Sequence, residues 1–177
     1  MGCDIHMFIE KKIGSEWMSM GEIDVNRNYD LFAFLAGVRG DGQHFARKGF
    51  PEDASQQVKE ECWEYGSDGH SHSYLTLREL QTVNWDDETF MMDQEGIMPN
   101  EQWPKFEETV KAGKPDYNLL YPHWAAGGDP ETSSYHEWQI PRKILLQDFN
   151  DKVMKFLPSL CIDCTPDEIR IVFWFDN

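Results

Sequence analysis

The feature that most constrains the fold is the apolar run I-R-I-V-F-W-F at residues 169–175. A short run of β-branched and aromatic residues, entered through the capped turn Thr165–Glu168, reads as a strand. It stops almost at the last residue, so the C-terminus is expected to be built into a sheet. At the other end D-I-H-M-F-I-E-K, residues 4–11, also reads as a strand. Period-two geometry puts Ile5, Met7 and Ile9 on one side and Asp4, His6, Phe8 and Glu10 on the other. Glu16 to Met20 supplies a short neighbour after a turn at Gly14-Ser15. The first and last strands are candidates for pairing.

Between them the pattern turns helical. Leu31, Phe34, Leu35 and Val38 recur at spacings of three and four, with Asn28 as N-cap and Gly37 and Gly40 as stop signals. G-D-G-Q-H then forms a loop around Asp41 and His44. Pro51 to Cys62 reads as an exposed helix with Asp53 in its first turn. Y-G-S-D-G-H-S-H-S is rich in loop formers and runs into a short helix whose Thr76 and Glu79 have capping-box spacing. Residues 84–100 read as an acidic, irregular excursion, and Trp103 to Val110 as a helix. A long connection rich in Gly and Pro follows. Pro141 is expected to start a late helix, with Ile144, Leu145, Phe149, Val153, Phe156 and Leu157 as its apolar stripe and Pro158 as its stop. The expected fold is α+β or mixed α/β. It is a single compact domain over residues 1–177, with the terminal strands in a central sheet and helices and long loops between them.

Charge narrows the partners. The 177 residues carry 32 Asp+Glu against 16 Lys+Arg, a formal net charge of -16. Such a balance opposes wrapping a long nucleic acid, yet a metal and a few arginines can still hold one nucleotide. The 40% hydrophobic content argues against disorder. No stretch approaches the length of a membrane span. The N-terminus lacks the basic start and long apolar run of a secretory signal, and His6 stands where a myristoylation motif wants Ser or Thr. Four unevenly spaced cysteines fit a reducing cytoplasm better than a disulfide scaffold. Cys3-x2-His6 and Cys161-x2-Cys164 together offer four zinc ligands; packed free cysteines are the competing reading.

Two clusters carry the chemistry. Asp4-x-His6 puts a carboxylate and an imidazole on one strand face, roughly 6–7 Å apart along the backbone, close enough to converge on one ion. Asp68-Gly69-His70-Ser71-His72 offers two imidazoles from an extended loop, with Asp68 as a ligand or as a partner that fixes a ring. Asp41 is a further or bridging ligand. The implied cofactor is a divalent metal, zinc or manganese first and iron or nickel next, which would activate water against a phosphoryl group. His44, His123 and, where it is not a ligand, His70 are the candidate proton shuttles, and Arg39, with Arg27, the candidate phosphate contact. A satisfied structural histidine is the competing reading for His123 and His136, each set among aromatics.

Asp4-Ile5-His6 and Gly69-His70-Ser71-His72 resemble the D-x-H and G-H-x-H motifs of calcineurin-like metallophosphoesterases. That resemblance implies metal ligation by these residues and phosphoester hydrolysis. The family's G-N-H segment has no counterpart, and Gly40-Asp41 lacks the downstream Asp of its G-D-x-x-D pattern. Over nearly the whole length the chain is similar to a family of bacteriophage and prophage proteins. Gly2–His6, Arg27–Arg39, Gly69–Ser73 and Arg170–Asn177 carry that likeness. It implies a viral or prophage setting in the host cytoplasm and brings no activity. The leading expectation is therefore a metal-dependent hydrolase of a small phosphorylated or nucleotide-like ligand. Its rivals are an acidic protein that binds a basic host protein, and a metal-stabilised fold without catalysis.

Overall fold

The computed structural model describes residues 2–119 and 131–177. The chain has a mixed α+β architecture. Its described strands are β1 (Asp4–Ile13), β2 (Glu16–Glu22), β3 (His70–Thr76), β4 (Met91–Pro99), β5 (Ser133–Pro141) and β6 (Ile169–Asp176). They form a four-stranded sheet in the order β2-β1-β6-β3 and a two-stranded sheet of β4 and β5, with every pairing antiparallel. The chain divides into two compact units, Met1–Asn84 with Leu146–Asn177, and Trp85–Leu145. Among the described residues no helix is long and apolar enough to cross a membrane.

The first unit is organised around β6. Residues 169–175 are all buried, which is why that run is apolar almost without alternation. The terminal strands do pair, with Asp4 opposite Asp176 and Glu10 opposite Arg170. Helix α1 (Tyr29–Ala36) covers one face and packs Phe32 edge-on against Phe175 at 5.1 Å. The expected caps hold: the Asn28 side chain accepts from the Leu31 N–H, and Gly37 closes the helix at φ 64°. Helix α2 (Gln56–Glu64) covers the other face, where Val58 and Cys62 join Phe8, Val172 and Trp174. Helix α3 (Leu77–Leu80) begins with the expected Thr76/Glu79 capping box.

Several expectations need correction. Helix α2 starts after Ser55 rather than at Pro51, because Ser55 supplies the cap by accepting from the Val58 N–H. Asp53 is thereby left outside the helix and bonds Arg170 and Trp17 instead. His70 to Ser73, read as loop, are the first residues of β3. The late helix does not start at Pro141, which ends β5. Short helical turns follow at Arg142–Leu145 and Gln147–Phe149, then a π-helical turn at Asn150–Met154. The change of turn alters the helical phase, so Phe149, Val153 and Leu157 stay buried while Phe156 is exposed.

In the second unit the acidic stretch expected to be irregular contains β4. Its partner β5 begins just beyond the long connection, and the ladder runs from Met91 opposite Pro141 to Pro99 opposite Ser133. Met98, Trp138 and Ile140 are buried. Phe106 of α4 (Trp103–Lys111) meets Trp138 edge-on at 4.9 Å. Asp93, Glu95, Tyr135 and Glu137 are exposed on the other face.

One ion pair lies inside the first unit. The Arg170 Nε donates to Glu10 Oε2 at 2.8 Å, and the two side chains are 3% and 0% exposed. Glu10 also accepts from the Ser55 N–H at 2.7 Å. A second Arg170 nitrogen donates to Asp53 at 2.9 Å, and the guanidinium lies 3.8 Å from the centre of the Trp17 ring. Removing one member of such a pair strands a buried charge, whereas replacing both by apolar groups is often tolerated. Glu10→Leu leaves Arg170 with Asp53 alone and the Ser55 N–H without its acceptor, and should lower the unfolding free energy by about 3 kcal/mol in urea titrations. Glu10→Leu combined with Arg170→Met should recover most of that loss.

Candidate functional site

The sheet ends in a polar cluster where β1, β6 and β3 run side by side. Asp4, His6, Phe8 and Glu10 share one face of β1, as their alternation predicts. Directly opposite on β6, and on that same face, stand Asp176, Trp174, Val172 and Arg170. His6 is thus held between strand neighbours and the end of α2. Its Nδ1 is 3.0 Å from the Tyr65 hydroxyl, and the two rings are tilted by 37° with centroids 4.1 Å apart. Its Nε2 is 3.5 Å from Asp176 Oδ2, while Glu22 lies 3.8 Å from Nδ1. That Nε2 atom is buried and makes no hydrogen bond. Asp176 uses its other oxygen to accept from the Asp4 backbone N–H at 3.2 Å.

Two arginines reach the same end. Arg27 grips the Asp4 carboxylate with two hydrogen bonds of 2.8 and 2.6 Å. This bonding, against a smaller effect of burial, holds the Asp4 carboxyl below its usual range. Arg39, in the left-handed region at φ 62°, donates to Asn177 at 2.9 Å and to the Gly2 carbonyl at 3.3 Å. Burial and the carboxylates of Asp176 and Glu22 push the Tyr65 phenol above its ordinary value, so it stays protonated.

The two histidines of β3 part company. In a regular strand residues 70 and 72 share a face. Here Ser71 adopts φ 52°, and the ladder to β6 shifts by one residue between His70 and Ser73. Such a bulge re-aims the side chains around it. His70 pairs with Phe175 and stacks on it at 6.1 Å. His72 meets Phe50 edge-on at 6.0 Å, and Phe50 in turn meets Trp174. Trp174 and Phe175 are consecutive on β6, so His72 shares the face of His6 and His70 takes the opposite one. His70 Nδ1 is 3.0 Å from the Ser71 hydroxyl, which also accepts from Arg47.

The remaining predicted residues spread out. Asp68 is exposed in the turn after α2, where its N–H bonds the Tyr65 carbonyl. Asp41 is exposed in the loop after α1. His44 follows in that loop, stacked on Phe34 at 4.8 Å. His123 lies outside the described residues. Among the described residues no group of three or more His, Cys, Asp or Glu side chains is poised to hold a metal. The structure sets His6 beside Asp176, keeps Asp4 on the same face but bonded to Arg27, and leaves His70 apart. His136, set flat on Trp103 at 4.1 Å in the second unit, fits a structural histidine.

The four-ligand zinc reading of the cysteines does not survive the topology. Cys3 is buried just before β1, whereas the Leu160 carbonyl, next to Cys161, accepts from Lys11 near the far end of that strand. Eight residues of extended chain separate Cys3 from Lys11, roughly 26 Å. All four cysteines are free.

Asp176 is the residue that sequence reasoning missed. It follows the apolar run, and only the β1–β6 register shows that it stands beside Asp4. No protein-family model, curated protein or solved structure matches the chain.

His72 offers a direct check on the site. Burial, and then the neighbouring His70, lower its pKa below the ordinary 6.5. The unfolded chain consequently takes up this proton first as the pH falls. The stability that neutral His72 lends is complete above 6.5 and is lost as the pH drops through the folded value. In NMR titrations the His72 ring should titrate below 6.5 in the folded protein and return to 6.5 in urea. A folded midpoint at or above the unfolded one would contradict this packing.

Proposed function

We propose that the chain is a metal-dependent hydrolase of a phosphoester in a small nucleotide or related metabolite, with its metal seated between His6 and Asp176. One observation carries this reading: a buried imidazole nitrogen without a hydrogen bond, 3.5 Å from a carboxylate oxygen. Two donors each about 2.1 Å from one ion are this far apart when the angle between them is about 110°, close to tetrahedral. A neutral imidazole with a carboxylate suits zinc or manganese, and also iron or nickel. Tyr65 supports the required tautomer, since an Nδ1–H donated to its oxygen leaves the Nε2 lone pair for the ion. Asp4 is the third ligand on this reading. It is on the same face, two residues along β1 from His6, and would leave Arg27 to hold the ion.

A bound metal would lower the pKa of a coordinated water and offset charge on the phosphoryl oxygens. Arg27, released from Asp4, and Arg39 beside Asn177 are then the cations that meet the phosphate. The proton for the departing alkoxide is assigned to His44 or His123. His70, His72, Asp68 and Asp41 remain proposed as metal ligands only through a rearrangement at the Ser71 bulge and the neighbouring loops. The setting proposed is the cytoplasm of the host cell, as the phage-family likeness implies.

A second reading has its own support in the second unit. Glu95 and Glu137 are directly opposite on β4 and β5, a placement that costs stability unless a cation meets it. The Tyr135 phenol donates to both carboxylates, and these bonds and charges push its pKa up to about 12. Exposed Ile97 lies opposite Tyr135 on the same open face. An acidic surface with apolar side chains suits a basic protein partner.

The hydrolase reading is tested with purified protein dialysed against zinc or manganese. One ion per chain should be retained, and His6→Ala or Asp176→Asn should abolish retention without loss of the folded circular-dichroism spectrum. Hydrolysis of a nitrophenyl phosphoester should appear only in metal-loaded wild type. Retention unchanged in both variants would overturn the assignment.

A further inference from the structure

The Cys161-x2-Cys164 segment lies outside the proposed hydrolytic site and has a chemistry of its own. Its two sulfur atoms are 3.0 Å apart and unbonded, and both residues are partly accessible. The loop that carries them is pinned on either side. Upstream, Lys11 of β1 donates to the Leu160 carbonyl at 2.7 Å. Downstream, Thr165 and Glu168 form a reciprocal capping box that leads into β6. Between the cysteines Ile162 is 82% exposed and Asp163 is also exposed, so the pair opens to solvent. A disulfide has an S–S length of about 2.05 Å, so closure asks for roughly 1 Å of movement in a loop already folded back on itself.

We propose that Cys161 and Cys164 form a redox-active dithiol that exchanges with small disulfides of the glutathione class. Cys161, as thiolate, attacks one sulfur of the small disulfide; that S–S bond breaks and one small thiol leaves with its electron pair and takes up a proton. The Cys164 thiolate then attacks the Cys161 sulfur of the mixed disulfide. The internal bond forms and the second small thiol departs. The dithiol has lost two electrons and two protons, and the small disulfide has become two thiols. Each thiol donates once, Cys161 to the Cys164 carbonyl at 2.7 Å and Cys164 to Cys161 Sγ, and only the second bond persists and strengthens when Cys161 ionises. Burial together with Cys161 pushes the Cys164 pKa up to about 11. Cys164 is therefore the resolving thiol, and the nearby Lys11 favours its ionisation as that step proceeds.

Folded protein is treated with oxidised glutathione, alkylated, and mapped by mass spectrometry. Wild type should lose alkylation at Cys161 and Cys164 together and carry an internal bridge, while buried Cys3 and Cys62 stay reduced. Cys164→Ser should accumulate glutathione on Cys161, and Cys161→Ser should form adduct at least tenfold more slowly. Wild type that keeps both thiols alkylatable, or that holds glutathione without closing the bridge, would overturn the proposal. So would a Cys161→Ser variant that reacts as fast as Cys164→Ser.

Discussion

A guanidinium buried beside a carboxylate sets the register on which the first unit depends. Arg170 and Glu10 face each other across β6 and β1, each almost without solvent contact. A slip of one residue would move Arg170 onto the face that Phe32 and Phe175 occupy, where an unpaired charge costs several kcal/mol. Recovery of stability in the Glu10→Leu/Arg170→Met double variant would make the pair a source of specificity more than of net stability. The same register brings His6 opposite Trp174 and Asp4 opposite Asp176. An ion pair in the middle of the sheet thus decides which side chains meet at its end.

Local signals in the sequence were sufficient wherever a short segment carries its own instructions. Asn28 and Gly37 bound α1, Thr76 with Glu79 starts α3, and Thr165 with Glu168 leads into β6. The two terminal strands were legible from alternation in β1 and from the unbroken apolar run in β6. Strands β4 and β5 were not. M-M-D-Q-E-G-I-M-P has acids on its open face and no partner nearby in sequence, since β5 starts more than thirty residues later. Nothing in such a stretch distinguishes a strand from a loop until its partner is known. Pro141 misled for a related reason, because Pro suits the end of a strand as well as the start of a helix.

The candidate site divides along the same line. Asp4 and His6 on one face followed from period two alone. The separation of His70 from His72 did not, because it depends on one left-handed residue, Ser71, and on a bulge that only the ladder to β6 reveals. Asp176 lies beyond the apolar run and becomes a partner of His6 only through long-range pairing. The cysteines show the converse. Cys161 and Cys164 lie in one short loop and meet there, while Cys3 and Cys62 are buried singly. Contacts set by sequence neighbours were legible, and those set by strand register were not.

The proposed hydrolytic site requires His6 and Asp176 to share one ion. Anomalous scattering from zinc-soaked crystals, recorded at the metal edge, tests it most directly. The account predicts a peak about 2.0–2.2 Å from both His6 Nε2 and Asp176 Oδ2, with Arg27 withdrawn from Asp4. Crystals that take up zinc elsewhere, or that show His6 and Asp176 unchanged with no peak between them, would contradict it.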